Sequence, residues 1–396
     1  MKNNILKEKM KKIVISGLSL IDQQVTIQLN IDGVDEVIYA RLSQNIVPYA
    51  TLDRIDSVVM GLILFAIKNG YDFDSAIPIT DELYYNLTTH LIEAIASTEN
   101  LHRPEIRAPK ISACDKKAHI VSTGVSCGVD SLYTICFHKT NIPPSHQLTH
   151  LSFFNVGSHH TGQREEKSRR LFEERRKHIK SYCEKSAFEL IEIESNLYTI
   201  LDKYDGGYSH IEYHTYMALF CILLIQKGVS KYYYSSGHMY AHFDCKYRKN
   251  RNFDSASYDL LTLCVATSSN ISFSSFGATV TRLKKIEFVA KHPLEAAHLN
   301  VCVLSPHNEG TCFKCRRTLL EIDFLGMLEN FKDAFDIKQY MENRNDYLEY
   351  LYIGVLRKDP FCEDIISRFN SEIGCIFKMK VVCKKLFSMC KNKILK

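Results

Sequence analysis

A short stretch of small residues carries the clearest chemical signal in this sequence. Residues 118–133 read AHIVSTGVSCGVDSLY, an apolar run followed by a turn of small residues and then a segment with helical character. At a strand-to-helix turn, free backbone N–H groups and the positive end of the helix dipole converge and attract anions. The sequence therefore predicts a phosphate site, and an ordinary capped turn is the alternative.

The residue types in this turn suit phosphate. Ser126 and Ser131 supply hydroxyl donors, and Gly128 lets the backbone come close to a ligand. Asp130 would be repelled by bare phosphate, so we expect it to hold Mg²⁺ or to orient the loop. Cys127 stands where glycine would fit more easily, and if its φ is positive the cysteine costs about 1 kcal/mol.

The surrounding pattern predicts the elements that position this turn. From about residue 115 the chain alternates strand-like and helix-like segments, which favours an α/β fold with a Rossmann-like parallel sheet and helices on both faces. Ligands bind such sheets at the carboxyl ends of the strands. The expected strands include residues 150–154, 188–193 and 231–235, and the expected helices are residues 130–139, 164–185 and 213–226.

A cysteine cluster near residue 310 is the second group that could do chemistry. Cys312 and Cys315 have the C-x₂-C spacing of thiolate ligands on a zinc knuckle, and Cys302 precedes them. His307 is the expected fourth ligand, with Glu309 as the alternative. The cluster predicts Zn²⁺, and an empty reduced cluster or a redox or sulfur-carrying pair remain alternatives.

Residues 126–131, SCGVDS, resemble the S-G-G-x-D-S pyrophosphate loop of the PP-loop ATP pyrophosphatases. The order of this loop and the cysteine cluster along the chain is similar to that in the 7-cyano-7-deazaguanine synthase-like branch of the PP-loop family. In that branch a Rossmann-like ATP domain precedes a zinc knuckle of four cysteines. The resemblance covers about residues 115–325, and one knuckle cysteine is missing, with Glu309 near its place.

The resemblance implies that a substrate carboxylate or carbonyl oxygen attacks the α-phosphate of ATP and releases pyrophosphate. Ammonia, an amine or a sulfur donor then displaces the adenylate. It implies Mg²⁺ and gives catalytic roles to Asp130, Ser131 and Arg282. The loop residues that it implies for ATP are Ser126, Cys127, Gly128, Val129, Asp130 and Ser131.

Two loops after later strands carry further candidates for ATP. Asn155, Ser158 and His159 follow the expected strand at residues 150–154, where the resemblance places adenine or ribose, and a solvated histidine is the alternative reading. Ser236 and Gly237 follow the strand at residues 231–235 and suit a tight turn at the rim of a pocket.

The remaining candidates are charged or titratable. Arg282 could hold a phosphate or carboxylate through two parallel hydrogen bonds, whereas Lys284 and Lys285 read as a solvated helix face. His238 could act as an acid, a base or a phosphate ligand, with a structural role as the alternative. His214 lies in an apolar helical pattern and reads as a hydrogen-bonded core histidine.

Composition limits the class of protein and its partners. The chain has 396 residues, a length that predicts two or three domains. Its hydrophobic content of 45% is typical of a folded protein, and its net charge is +5. This mild charge disfavours nucleic acid as a partner. No apolar run reaches 18 residues, so no transmembrane segment is expected. Fourteen cysteines without regular spacing favour reduced thiols and a cytoplasmic protein.

Three domains are expected. Residues 1–108 read as a small α+β domain, with a hairpin turn at Asp32-Gly33 and a helix over residues 56–69 closed by Gly70. Its expected role is a lid or a dimerisation module, so a homodimer is a candidate assembly. Residues 109–300 form the PP-loop ATP-binding α/β domain, and residues 301–396 hold the Cys knuckle and a helical region with a Lys-rich end.

These observations predict an ATP-dependent adenylating ligase that forms a C–N bond on a carboxylate of a small molecule or peptide. The alternatives are a PP-loop RNA thiolase that carries sulfur on its C-x₂-C pair, and an inactive nucleotide-binding scaffold.

Overall fold

The structure is a computed structural model, and it describes residues 10–112, 118–139, 142–159, 165–248 and 253–383. The predicted Lys-rich end lies largely outside these residues, as does the first residue of the helix predicted over 164–185. Within the described ranges, none of the helices combines the length and apolarity needed to cross a membrane.

The chain divides into two compact units, each assembled from two pieces of sequence. The first contains Met1–Val125 and Phe137–Val280, and the second contains Ser126–Cys136 and Thr281–Lys396. The predicted domain boundaries after residues 108 and 300 remain predictions, because compactness does not show which parts fold independently.

The first unit holds all the strands of the described chain. Alternating apolar and polar residues produce the half-buried strands at the N-terminal end. The strand at residues 120–124 is buried along most of its length, although only Ile120 and Val121 in it are large apolar residues. The strands are β1 Lys11–Ile21, β2 Gln24–Ile31, β3 Val34–Leu42, β4 Tyr71–Ser75, β5 Ile79–Thr80, β6 Ile106–Arg107, β7 Lys110–Ile111, β8 Ile120–Gly124, β9 His150–Asn155, β10 Glu189–Ser195, β11 Val229–Ser235 and β12 Ser272–Phe276.

Ten of these strands form one sheet in the order β12-β11-β8-β9-β10-β3-β2-β1-β4-β6. The pairings among β8 to β12 are parallel, as predicted for an α/β fold, and they make the sheet mostly parallel. The chain moves from β8 through β9 to β10 on one side and returns to β11 on the other. The strand order therefore reverses between β8 and β11, which is where open α/β sheets bind ligands.

The N-terminal strands belong to the same sheet. The hairpin predicted at Asp32-Gly33 is confirmed, since β2 and β3 pair in antiparallel register there. β3 then pairs antiparallel with β10, and Leu42 lies opposite Ile193. Residues 11–42 are thus hydrogen-bonded to the α/β strands.

The helices cover the sheet of the first unit and make up most of the second. They are α1 Asp56–Asn69, α2 Asp81–Asn86, α3 Ile92–Glu99, α4 Val129–Phe137, α5 Glu165–Ser186, α6 Leu197–Tyr204, α7 His210–Leu223, α8 Asp259–Ala266, α9 Arg282–Val289, α10 Pro293–His298, α11 Phe313–Phe324, α12 Ile337–Glu342, α13 Arg344–Leu356 and α14 Pro360–Ile365.

The core of the first unit centres on α1 and α7, which are apolar around most of their circumference. The bounds predicted for α1 are confirmed, and Gly70 ends it with a φ of 78°. Gly61 permits the close contact between the helices, because a Cβ atom there would lie 2.8 Å from Leu197 Cδ2 and 3.2 Å from Phe220 Cβ.

Candidate functional site

The predicted phosphate loop folds back on itself at the start of α4. The Gly128 N–H donates to Ser126 Oγ at 3.2 Å, and the Ser131 hydroxyl donates to the Gly128 carbonyl at 3.1 Å. α4 begins at Val129, so its first N–H groups have no partner within the helix. Ser126 is exposed and Ser131 is buried. The loop thus combines a helix N-terminus with two hydroxyl groups.

Cys127 has a φ of 55°, which lies in the left-handed region that glycine adopts more easily. The strain that the sequence predicted for a positive φ at this position is therefore present. Its side chain is fully buried, and its carbonyl accepts a hydrogen bond from the Asn300 N–H at 2.7 Å. Packing and this hydrogen bond hold the loop in a conformation that costs about 1 kcal/mol.

Asp130 is surrounded by cations. Lys285 Nζ donates to Asp130 Oδ1 at 2.6 Å, and Arg282 Nη1 lies 3.9 Å from Asp130 Oδ2. Lys285 is 3% exposed, so its prediction as part of a solvated face is wrong. Because these cations already compensate Asp130, its surroundings favour a role in positioning Lys285 over direct binding of Mg²⁺.

Arg282 lies at the start of α9 and is held by residues of α11. Its Nε donates to Glu321 Oε2 at 2.9 Å, and its Nη2 donates to Thr318 Oγ1 at 2.9 Å. Burial raises the pKa of Glu321, although the charges of Arg282 and Arg317 oppose that shift. Two guanidinium nitrogens of Arg282 therefore hydrogen-bond to residues of α11, and the third faces Asp130.

Two further cations come from the first turns of α11. Burial lowers the pKa of the Lys314 ammonium, and the charges of Arg317 and Arg282 lower it further while Asp130 opposes them. Arg317 Nε lies 4.0 Å from Glu321 Oε1, and among the described residues it is a buried donor with no hydrogen-bond partner. Buried donors are rarely left unpaired in proteins, so this one is consistent with a ligand that is not present.

The loop and the cations together form a cluster that favours anions. Among the described residues, four cationic side chains share the two carboxylates Asp130 and Glu321, which leaves an excess of positive charge beside the loop. A phosphate group would receive charge-assisted hydrogen bonds there. The cationic members of the cluster are Arg282, Lys285, Lys314 and Arg317.

The cysteine cluster lies at the N-terminus of α11, the helix that also carries Lys314 and Arg317. The thiols of Cys302, Cys312 and Cys315 lie within 4.8 Å of one another, all three residues are buried, and the group could hold a metal ion. Four ligands at the zinc–sulfur distance of about 2.3 Å would lie roughly 3.8 Å apart in a tetrahedron, which is compatible with this spacing.

Backbone donors already point at two of the sulfurs. The Ser305 N–H donates to Cys302 Sγ at 3.3 Å, and the Cys315 N–H donates to Cys312 Sγ at 3.4 Å. Burial alone would raise the pKa of Cys312, but hydrogen bonds to its sulfur outweigh burial and lower it. Such donors stabilise thiolates, which are the form that binds metals. The fit of these residues to Zn²⁺ is therefore good.

The expected fourth ligand is not part of this group. His307 is exposed, and in the described part of the chain the three thiols form the group without it. Glu309 Oε1 accepts a hydrogen bond from the Cys312 N–H at 3.1 Å. Asn308 organises the loop instead, since its Oδ1 accepts from the N–H groups of Val301 and Cys302 at 2.8 and 3.2 Å.

The ATP-binding candidates at and after the end of β9, in the first unit, lie in surroundings that differ from those of the cationic cluster. Asn155 ends β9, and its Nδ2 donates to Glu194 Oε2 at 3.0 Å. His159 is 6% exposed and packs edge-on against two phenylalanine rings, with Ser158 Oγ 2.9 Å from its Nδ1. Burial, aided by the charge of Arg175, lowers the pKa of His159 to about 4. This environment favours a neutral structural histidine over either role predicted for it.

A polar network follows β11. Ser236 is buried and donates to the His238 carbonyl at 3.1 Å, whereas Gly237 is exposed. Asp254 lies 3.3 Å from Nε2 of both His214 and His238. Burial opposes ionisation of Asp254, but hydrogen bonds from the two imidazoles outweigh burial and lower its pKa. His214 is thus hydrogen-bonded, as predicted.

Comparison with protein families, curated proteins and solved structures finds no match for this chain.

Sequence reasoning missed Lys285, Lys314 and Arg317 as members of the cationic cluster. A signal for Lys285 exists, because it lies four residues before the buried Val289 and therefore shares its helix face. Lys314 also carries a signal, since it lies between the two cysteines of C-x₂-C. Neither signal indicates a ligand until the packing of α9 against α11 is known.

Proposed function

We propose that the cluster beside residues 126–131 binds the phosphate chain of ATP, and that the protein is an ATP-dependent adenylating ligase. The observation that carries this proposal is the excess of buried and half-buried cations around Asp130 at the N-terminus of α4. A triphosphate would offset the repulsion among these cations, and Arg317 Nε offers a donor without a partner among the described residues. The resemblance of SCGVDS to the pyrophosphate loop supports the same ligand.

The proposed reaction has two steps. A carboxylate oxygen of a small molecule or peptide attacks the α-phosphorus of ATP, the bond to the bridging α,β-oxygen breaks, and pyrophosphate leaves with the electron pair. The nitrogen of ammonia or an amine then attacks the acyl carbon of the adenylate, AMP leaves, and the nitrogen loses a proton to solvent. Fixed cations are suited to the first step, because they stabilise charge that builds on the leaving phosphates.

The residues have distinct roles in this proposal. Lys285 and Lys314 bind the departing pyrophosphate, and Asp130 positions Lys285 through their 2.6 Å ion pair. Ser126, Ser131 and the first N–H groups of α4 bind phosphate oxygens. Mg²⁺ arrives with ATP as the counter-ion of its phosphates.

The three thiols would hold Zn²⁺, whose contribution is structural. Cys302, Cys312 and Cys315 are buried, and burial raises the pKa of Cys315. Buried thiols of this kind are poorly placed to carry sulfur to an RNA, so we favour the ligase over the thiolase.

The test is the identity of the products formed from ATP labelled at the α-phosphate, with a pool of carboxylic acids and ammonium present. We expect labelled AMP and unlabelled pyrophosphate. Asp130→Ala should lower the rate at least 100-fold, because Lys285 is then no longer held at the reacting phosphates, and losing one preorganised electrostatic group costs about 10²–10³ in turnover. Its thermal unfolding should remain cooperative.

Two control variants distinguish a specific effect on the loop from a general loss of folding or activity. Asp130→Asn retains the shape of the side chain and should recover part of the affinity for ATP, seen in KM, without recovering all of kcat. Glu329→Ala removes an exposed carboxylate of the same unit and should leave both parameters unchanged. Formation of labelled ADP and free phosphate, or undiminished turnover by Asp130→Ala, would contradict the proposal.

A further inference from the structure

The metal group and the cationic cluster share one helix start. Cys312 is the N-cap residue of α11, and Cys315 lies in its first turn. Lys314 lies between these two ligands, and Arg317 follows one turn after the first of them. A metal ion that fixes both sulfurs therefore fixes the backbone from which both cations project.

A second connection runs through Asn300. Its N–H donates to the Cys127 carbonyl at 2.7 Å, at the centre of the phosphate loop. Its Oδ1 accepts from the Cys302 N–H at 3.4 Å, next to the first thiol of the metal group. Asn300, which hydrogen-bonds to the loop, thus lies two residues before the first thiol of the metal group, and this connection is additional to the one through α11.

The charges explain why such an anchor is needed. Lys314 is largely buried beside Arg317 and Arg282, so the folded position of its ammonium is opposed by two neighbouring positive charges. Without a metal, the first turn of α11 would relieve this repulsion by fraying, since helix ends are the least constrained part of a helix. A metal held by Cys302, Cys312 and Cys315 would prevent that movement.

We propose that metal binding by Cys302, Cys312 and Cys315 controls the anion affinity of the loop at residues 126–131, by holding Lys314 and Arg317 in place. This regulation rests on the proposed function, which assigns that loop to phosphate. The metal has no contact with the anion in this proposal. Oxidation of the thiols or loss of the metal would therefore weaken phosphate binding without any change to the residues of the loop.

The test compares pyrophosphate affinity in zinc-loaded and zinc-free full-length protein, by calorimetry without Mg²⁺. Losing one charge-assisted contact should weaken binding about tenfold or more. Cys302→Ser should lose zinc and show the same weakening, whereas Lys314→Met should retain stoichiometric zinc and still bind pyrophosphate weakly. Cys375→Ser changes an exposed thiol of the same unit and should match the wild-type protein in both measurements.

A second measurement needs no variant that lacks the metal. Binding free energies are reciprocal, so pyrophosphate must raise the zinc affinity of the wild-type protein by the same factor, and a competing chromogenic chelator should take up less zinc at equilibrium. Lys314→Met serves as the control for direct chelation by pyrophosphate and should lose this increase in zinc affinity.

The outcomes distinguish the two proposals. Equal pyrophosphate affinity with and without zinc, or a zinc affinity that pyrophosphate does not raise, would overturn the regulation and leave the proposed function intact. Absence of pyrophosphate and ATP binding in the zinc-loaded protein would overturn both.

Discussion

The two units gather ionisable side chains in opposite ways. In the first unit, Asp254 is shared between His214 and His238, so one carboxylate meets two imidazoles. In the second, four cationic side chains surround Asp130 and Glu321. Both groups follow a turn rich in serine and glycine, yet only the second has an excess of positive charge near neutral pH.

The difference between the two groups supports the proposal of an anion site in the second unit. Hydroxyl groups occur in both places, and in the first unit the Ser236 hydroxyl is hydrogen-bonded to the carbonyl and the N–H of His238. Fixed cations that exceed their carboxylate partners, by contrast, gain from an added anion. The charge excess, more than the number of polar groups, therefore indicates the ligand.

The largest expected effect is the loss of Lys285. Lys285→Met should weaken pyrophosphate binding roughly 10- to 100-fold, because it removes a charged donor and leaves Asp130 to repel the phosphate. Calorimetry measures the affinity, and thermal unfolding checks the fold. Asp254→Asn, in the network of the first unit, should change the affinity less than twofold. Equal losses in the two variants would remove the distinction between the units.

A second prediction sharpens the assignment of His159 to a structural role. The pKa of His159 is about 4 in the folded state and about 6.5 in the unfolded state. Above pH 6.5 the imidazole is neutral in both states, so its full contribution to the free energy of unfolding is present there. That stability is lost as the pH falls, reaching a loss of about 2 kcal/mol at pH 5. His159→Phe should remove this pH dependence.

Urea unfolding at pH 7.5 and pH 5 measures the effect in both proteins, and the other histidines cancel in the comparison. An unchanged difference between the two pH values in His159→Phe would show that His159 is accessible to protons in the folded protein. The role predicted for it in binding a ligand would then regain support.

The smallest expected effect concerns the backbone of the phosphate loop. At a φ of 55°, Cys127→Gly should unfold with a free energy about 1 kcal/mol higher than Cys127→Ala, because only alanine retains the Cβ strain. Both variants lose the buried sulfur, so their difference isolates the backbone. Equal stabilities would mean that the loop relaxes to negative φ when the side chain is removed.

The sequence predicted those features that depend on near neighbours. Periodicity and end signals located α1 and Gly70, the hairpin at Asp32-Gly33 and the parallel strands. Residues 126–131 and the three cysteines could also be found, because their spacing is local. The cysteines are confirmed as a group able to hold metal, while their zinc and the nucleotide remain predictions.

The sequence could not show which charges converge. Asp130 and Lys285 are 155 positions apart, and a lysine in an amphipathic helix looks the same whether it faces solvent or a buried carboxylate. The burial of His159 could not be predicted for the same reason, since its phenylalanine neighbours come from β9 and α5. Such contacts depend on tertiary packing, which no local pattern specifies.

The pairing of β3 with β10 has a consequence for synthesis on the ribosome. Leu42 emerges long before Ile193, its partner in the sheet. At 5–20 residues per second, about 150 residues take roughly 10–30 s to translate, and β3 would meanwhile present an unpaired edge to other nascent chains. We therefore expect the N-terminal meander to depend on chaperones during this interval, and to be the segment through which truncated chains aggregate.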